Sequence, residues 1–387
     1  MNIFRQDDDR AVVRLDCGWP ARELQALSTF QSMVAKCALE DDFSEALFYG
    51  ERAGGVKERT NLATMLSMFR TQPVLGESIV LSAGSGAALD LLLGEHRSRS
   101  NVVFTEELSY HNALTMIRDH GYETQPLPAC DLGILDLDAV DAAFAKHSGA
   151  LCYLVPTFSN PLGTTLRSDQ RKLLVECARK HGVRIIADEV YRLLSFEDEA
   201  PPTFASYDQS GDTVVSLGSF TKIAGPGLRL GWMEFGGGGA ASSQGSWRQA
   251  ILDRGVVVNG GCLNQFSAWC VGKWLENSSF ESHLNEVRRR LKRRADALWL
   301  PLRRELNPAQ FRIEKPDGGY FIWLQCLDSR VDLHGRLVAG GVMSRPKSDF
   351  LSQSGRATGF EGVRLSFSWL TEAALADAAR TIVQVLG

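Results

Sequence analysis

The stretch Gly218–Trp232, GSFTKIAGPGLRLGW, holds one lysine, one arginine, two hydroxyls and several glycines. Lys222 follows an apolar run, where burial would lower its amine pKa and free it as a nucleophile toward a carbonyl. Arg229 carries a permanent charge and a forked donor set suited to phosphate, and Ser219 and Thr221 add hydroxyl donors. Surface lysines and arginines are common, so neither cation decides anything alone.

Other apolar runs also end in residues that can do chemistry. VRIIADEVY terminates in Asp188 and Glu189. A carboxylate there is costly unless it caps the next segment or meets a protonated group, such as an aromatic ring nitrogen, and Tyr191 could reach the same ligand. SIVLSAGSGAALDLLL reads strand, small-residue turn, helix, which leaves Ser85, Gly86 and Ala87 at a helix N-terminus in the form of a phosphate cradle. It lacks the G-x-x-x-x-G-K-[ST] pattern of a triphosphate loop. NVVFTEELSYHNAL brings Tyr110 to a strand end, either as rim packing or to stack on a planar heteroaromatic ring. In ALCYLVPTFSNPLG, Asn160 opens a turn and could also donate to a ring hydroxyl.

The combination points to one ligand. A phosphate cradle, a stacking aromatic, a strand-end Asp, an Asn, a nucleophilic Lys and a second phosphate donor together suit pyridoxal 5′-phosphate. As an ordered set, these motifs resemble the class I/II aminotransferase family of fold-type I pyridoxal-phosphate enzymes over nearly the whole chain. The resemblance makes Lys222 the Schiff-base lysine and gives the phosphate to Arg229, Ser219, Ser85 and Gly86. It pairs Asp188 with the ring nitrogen, brings Tyr191 and Asn160 to the phenolic oxygen, and stacks Tyr110 on the ring. Three further segments follow from it. Tyr49, in Leu47-Phe48-Tyr49-Gly50, is expected to reach the phosphate of a neighbouring subunit in a homodimer. Arg364 is expected to clamp the substrate α-carboxylate. Gly18, in Cys17-Gly18-Trp19-Pro20, falls in the substrate-side loop. The chain departs from the family pattern at Gly86-Ala87, where glutamines are common, and at LSYH around Tyr110.

The elements that must position these residues are legible in outline. From about Glu77, short β-branched runs alternate with helical patterns, which predicts an α/β fold with a mostly parallel sheet covered by helices. Ligands of such sheets lie at the carboxyl ends of the strands. After Trp269 a charged helix over about 279–300 and short strands such as GGYFIWLQC and GVRLSFSWL predict a smaller α+β domain. The expected division is 46–269 for the large cofactor-binding domain, with 1–45 and 270–387 in the small one. GGGGAASSQG, at 236–245, reads as a surface connector or a flap over the site.

Composition excludes several classes. A formal charge of −4 and a pI near 6.0 give no basic field for nucleic acid, and the arginine run 288–294 reads as a solvated helix face. No apolar run approaches a membrane span, and the acidic N-terminus is unlike a signal peptide. The eight cysteines show no C-x-x-C pair and no Cys/His cluster at metal-ligand spacing, so reduced core thiols in a cytoplasmic protein without a metal are expected.

The expected reaction exchanges an amino group between an amino acid and a 2-oxo acid. A lyase, decarboxylase, cyclase or amino-acid oxidase would begin with the same lysine and stays open as an alternative. A ligand-sensing module of a transcription regulator would need a DNA-binding domain ahead of the fold, and the fold is expected to begin within the first few tens of residues.

Overall fold

The computed structural model describes residues 12–70, 72–131, 133–197, 202–237, 246–276, 278–352 and 359–387. Most of the glycine-rich 236–245 segment therefore lies outside the described residues.

Seven strands build the larger sheet: β1 (Ile79–Ser82), β2 (Val102–Thr105), β3 (Glu123–Pro126), β4 (Leu151–Leu154), β5 (Arg184–Asp188), β6 (Val214–Ser219) and β7 (Gly231–Phe235). Their order is β1-β7-β6-β5-β4-β2-β3, and only β7 runs antiparallel to its neighbours. Every residue of β1, β2, β4, β5 and β6 is buried, the pattern of a sheet covered on both faces. Side chains alternate between two cores: Leu151, Tyr153, Ile186 and Val215 join one, while Cys152, Leu154, Ile185, Ala187 and Val214 join the other. Asp188 thus shares a face with Ile186, whose register partner on β4 is Tyr153.

The covering helices include α1 (Ser85–His96), which starts just beyond β1, and α2 (His111–Asp119), just beyond β2. Helix α3 (Leu137–Lys146) precedes β4, and α4 (Ser168–Lys180) links β4 to β5. Asp136 caps α3 by accepting from the Ala139 amide at 3.1 Å.

The second sheet is antiparallel, in the order β8-β9-β11-β10, built from β8 (Phe311–Ile313), β9 (Phe321–Cys326), β10 (Arg345–Pro346) and β11 (Glu361–Ser366). Helices α5 (Ser279–Glu305) and α6 (Glu372–Leu386) pack together on this side. Helix α5 runs five residues past the expected end at 300 and continues through Pro301, carried by Leu298 and Leu302 in the core. Its arginine run is only partly solvated. Arg289 and Arg293 are exposed, but Arg294 is buried and donates to the Ser368 carbonyl at 2.9 Å, and Arg288 donates to the Leu193 carbonyl at 2.7 Å. A run of like charges on a helix spanning more than one turn must place some of its members on the packed face.

The N-terminal segment is laced onto the second sheet's side. Val13–Arg14 pairs in parallel with Val342–Met343, the Ser366 amide donates to the Leu15 carbonyl at 2.8 Å, and the Ala21 amide donates to the Ser368 carbonyl at 3.0 Å. Gly18 and Arg364 meet through that lacing. Among the described residues no helix is long and apolar enough to cross a membrane. All eight cysteines are free; six are buried, but Cys177 is half-buried and Cys130 is exposed, so the expectation of core thiols fails at those two.

One buried arginine fastens the loops beyond β4 and β5. Arg171 is inaccessible to solvent and donates to the carbonyls of Leu166 (2.7 Å), Pro202 (2.8 Å) and Pro156 (2.8 Å), and to Thr157 Oγ1 (2.8 Å) and Glu189 Oε1 (3.2 Å). Arg171→Ala would remove the ion-pair partner of the buried Glu189 together with the bonds to three carbonyls and is expected to cost about 3–5 kcal/mol in urea unfolding. A loss below about 1 kcal/mol would show that the loops are fastened elsewhere.

Candidate functional site

Lys222 sits beyond the end of β6, in a tight turn anchored by its neighbours. The amides of Ala224 and Gly225 donate to the Phe220 carbonyl at 2.9 and 3.1 Å, and the Phe220 ring is buried edge-on against Trp232 and Phe280. Turning Phe220 inward turns Lys222 into the crevice. Tyr320 Oη donates to the Lys222 carbonyl at 2.7 Å, and Lys222 Nζ donates to the Gly18 carbonyl at 2.9 Å. The amine lies 5.7 Å from the Tyr191 ring centroid and 5.6 Å from that of Tyr320. Burial pushes its pKa down to about 8; Arg364 acts in the same direction and Asp188 opposes it. The lowered amine pKa expected from the sequence is present, with desolvation as its main cause.

Asp188, the last residue of β5, is buried. Its Oδ2 accepts from Tyr153 Oη at 2.9 Å, whereas Oδ1 is buried with no hydrogen-bond partner. Burial pushes this carboxyl up to about 6, opposed by the Tyr153 hydroxyl first and then by the Val190 amide and the charge on Lys222. A desolvated oxygen without a donor is what a site for a protonated ring nitrogen would leave open.

Arg364, on β11, donates from Nη1 to Asn160 Oδ1 at 2.8 Å and from Nη2 to the Asp16 carbonyl at 2.8 Å, while Nε is buried without a partner. Its guanidinium carbon lies 4.1 Å from the Phe321 ring centroid and 5.2 Å from that of Phe350. Burial brings its pKa down to about 10, which leaves it charged at neutral pH. Gly18 fits closely in the loop above: a Cβ there would come within 3.0 Å of the Phe321 ring and 3.9 Å of Arg364 Nη2.

The anion end of the crevice is the N-terminus of α1. Ser85, Gly86 and Ala87 form its first turn, and a Cβ at Gly86 would meet nothing within 4 Å, so the space above those amides is open. Gly84 precedes the helix at φ +91°, and a side chain there would come within 3.1 Å of Arg229 Nη2. Arg229 is itself left-handed at φ +45°. Asn264 Nδ2 holds that turn by donating to the carbonyls of Leu228 and Arg229. Ser219 Oγ donates to Thr221 Oγ1 at 2.9 Å, and the Thr221 amide donates to Ser219 Oγ at 3.1 Å. Tyr110, at the start of α2, lies within the electrostatic reach of Asp188, Arg364 and Arg229; burial raises its hydroxyl pKa, and Asn112 Nδ2 donates to that oxygen at 2.9 Å.

The structure therefore gathers Lys222, Asp188, Tyr191, Tyr110, Asn160, Arg364 and Gly18 around one crevice, with Ser85, Gly86, Ala87, Ser219, Thr221 and Arg229 at its anion end. Tyr49 is not among them: within the chain it is 84% exposed. Two residues escaped the sequence reading. A tyrosine inside the apolar run LCYL was a signal for Tyr153, because a buried hydroxyl needs an acceptor; Asn264 gave none. The residues present fit pyridoxal phosphate on three observations: the partnerless Asp188 Oδ1, the open cradle above α1, and the partnerless Arg364 Nε for a substrate carboxylate.

In the cofactor-free protein, acylation of Lys222 by an amine-directed reagent is expected to rise through a midpoint near pH 8, because the neutral amine appears as pH passes that value. Exposed lysines follow a midpoint of about 10.4. Peptide-resolved mass spectrometry reads the two classes separately, and a Lys222 midpoint at the exposed value would contradict the desolvated setting.

The chain matches the family model described as aminotransferase class I and II over residues 12–382. It is 27% identical over 382 residues to the aromatic-amino-acid aminotransferase 1 of Thermococcus litoralis, spanning 97% of this chain and 88% of that protein. It is 32% identical over 326 residues to an uncharacterised HTH-type transcriptional regulator of Bacillus subtilis; that match spans 84% of this chain and only 64% of the regulator. Among solved structures, the α-aminoadipate aminotransferase LysN of Thermus thermophilus, complexed with N-(5′-phosphopyridoxyl)-L-leucine, superimposes with a TM-score of 0.79 at 26% identity, covering 97% of this chain and 92% of that one. The α/β architecture, the crevice at the carboxyl ends of the strands and the family match agree: this chain belongs to the class I and II aminotransferases, a family of pyridoxal-phosphate enzymes.

Proposed function

We propose that this chain exchanges an amino group between an amino acid and a 2-oxo acid at the Lys222 crevice. The observation that carries the reading is a buried amine with a pKa near 8, set beside a carboxylate with one partnerless oxygen and an arginine with a partnerless Nε. Bound pyridoxal phosphate supplies an aldehyde for the amine and a ring that withdraws electrons from the substrate Cα.

The remaining work falls to the chain. Ser85, Gly86, Ala87, Ser219, Thr221 and Arg229 would hold the phosphate. Asp188 Oδ1 would accept the ring N–H, and Tyr110 would cover the ring. Asn160, whose Oδ1 is engaged by Arg364, keeps its Nδ2 as a donor to the ring's phenolic oxygen, and Tyr191 would reach the same oxygen. Arg364 would orient the substrate carboxylate and thereby present the Cα hydrogen to Lys222, whose amine is neutral for a large fraction of the time near pH 8 and can carry that proton.

The substrate wall supports an aromatic side chain. Phe321 and Phe350 flank the Arg364 guanidinium, Trp19 follows Gly18 and sits edge-on to Trp369 at 6.2 Å, and the neighbouring Arg345 donates from Nη1 to Asp349 at 3.0 Å. A homodimer is part of the same reading. Leu47, Phe48 and Tyr49 are 70%, 76% and 84% exposed in a row, which supports a second copy covering them and receiving Tyr49 at its phosphate. The division into 46–269 and the two flanking segments is supported by the pairing of Val13–Arg14 with Val342–Met343. Eight free cysteines support a reducing, cytoplasmic setting.

The test uses the holoenzyme and a panel of amino acids. An aromatic amino acid should bleach the cofactor's visible band, and adding a 2-oxo acid should restore it; a bleached band that no oxo acid restores would indicate lyase, decarboxylase or oxidase chemistry instead. Likeness to the regulator offers a second reading as a ligand sensor, in which amino acids would shift the spectrum without turnover.

Lys222→Ala should lower turnover by about 10²–10⁴-fold or more. Arg364→Lys should lower kcat/KM by about tenfold or more, since lysine cannot reproduce the fork. Tyr153→Phe removes the bond that opposes burial at Asp188, so the acid limb of the pH–rate profile should move to higher pH by about one unit. An unmoved limb would dissociate Tyr153 from Asp188. Tyr49→Phe should weaken cofactor binding about tenfold in a fluorescence titration.

A further inference from the structure

Near the amino ends of the central strands β4 and β5, α3 and α4 bring three metal-ligating side chains together. Asp141 lies on α3, Cys177 in the last turn of α4, and His181 is the residue that ends it. No Cys/His cluster at ligand spacing is expected from the sequence, yet Cys177 and His181 are four residues apart on a helix and so share a face. What the sequence could not show is the third group, which arrives from a different helix.

The donor atoms of Asp141, Cys177 and His181 all lie within 4.8 Å of one another. Asp141 Oδ1 stands 2.9 Å from His181 Nε2 and 3.5 Å from Cys177 Sγ. The backbone beneath is fixed: Ser148 Oγ and the Gly149 amide, just after α3, donate to the His181 carbonyl at 2.8 and 3.1 Å. The end of α4 is thereby clamped to the turn that follows α3.

We propose that Asp141, Cys177 and His181 form a site for a thiophilic divalent cation of the Zn²⁺ class, with solvent as the fourth ligand. One sulfur, one imidazole nitrogen and one carboxylate oxygen are a donor set of that class, and ligand atoms on a tetrahedral zinc stand roughly 3.5 Å apart. The Cys177–Asp141 separation already has that value, the Asp141–His181 separation of 2.9 Å would open slightly, and Cys177 and His181 lie within 4.8 Å of each other. Binding exchanges the Cys177 thiol proton, which leaves to solvent, for a metal–sulfur bond. Lys180 competes, with Nζ 2.9 Å from both Asp141 oxygens, but it is 62% exposed and such an ion pair is worth under about 1 kcal/mol. Without a cation, Asp141 holds the helices by accepting from Lys180, His181 and the Cys177 thiol, and a bound cation would replace the thiol and imidazole hydrogen bonds by ligand bonds to the same three groups.

Tag-free holoenzyme, stripped of metals by a chelator, is alkylated with iodoacetamide with and without Zn²⁺, and each cysteine peptide is quantified by mass spectrometry. Zn²⁺ should slow alkylation of Cys177 by about tenfold or more and leave the exposed Cys130 unchanged. This residue-resolved reading separates the site from any Zn²⁺ taken up at the cofactor. In competition with a chromogenic chelator, Cys177→Ser should lose one equivalent of Zn²⁺ per chain, and Lys180→Met should bind at least as tightly as the parent. Equal alkylation of Cys177 with and without Zn²⁺, or undiminished binding by Cys177→Ser, would overturn the proposal and leave an ion-pair cluster.

Discussion

Desolvation of two ionisable groups on neighbouring parallel strands is the constraint around which this molecule is arranged. Asp188 ends β5, and Lys222 lies just past the end of β6, where the sheet's carboxyl edge meets the second sheet's side. Removed from water, each is shifted toward its neutral form, the carboxyl upward and the amine downward. Neither group is in its most stable setting. On the proposed roles, a cofactor offering a ring proton to one and an aldehyde to the other would relieve both, which would couple cofactor binding to the stability of the crevice.

The surroundings serve to keep that pair dry and aimed. Strand alternation places Tyr153 on the same face as Asp188, so a hydroxyl from the adjacent strand can reach the carboxylate from below. Tyr191, Tyr320 and Phe321 pack edge to face around the amine, at centroid separations of 5.5–6.2 Å. The N-terminal segment closes the crevice from above, because its pairing with Val342–Met343 delivers Gly18 between Lys222 and Arg364. Arg171 fastens the outer loops to one another through three carbonyls and the side chains of Thr157 and Glu189, a use of the guanidinium fork that lysine could not replace.

Much of this was readable before any coordinates. The parallel sheet followed from short apolar runs separated by helical patterns, the candidates Lys222, Asp188, Tyr110 and Asn160 from their place at the ends of those runs, and Arg364, Gly18 and Tyr49 from the family resemblance alone. The reading fell short where a residue's surroundings come from remote segments. The arginines of α5 look alike in sequence, but Arg294 is buried against Ser368 and Arg293 is exposed. Cys177 and His181 looked unremarkable until α3 supplied Asp141. Asn264 supports the strained Arg229 turn from 35 residues away, and no local pattern marks it.

The order of elements, the continuous apolar runs of the strands and the identity of each polar residue at a strand end are local properties, so the sequence by itself determined the fold class and the cofactor and nominated the residues proposed to carry the chemistry. Tertiary structure alone decided how strongly each group is perturbed and by what, because burial and electrostatic coupling depend on distances between segments far apart in the chain. It alone brought Tyr153 beneath Asp188, Gly18 to Lys222 and Asp141 to Cys177 and His181. It also left Tyr49 on the surface, since a chain can bury only what its own remaining segments can cover.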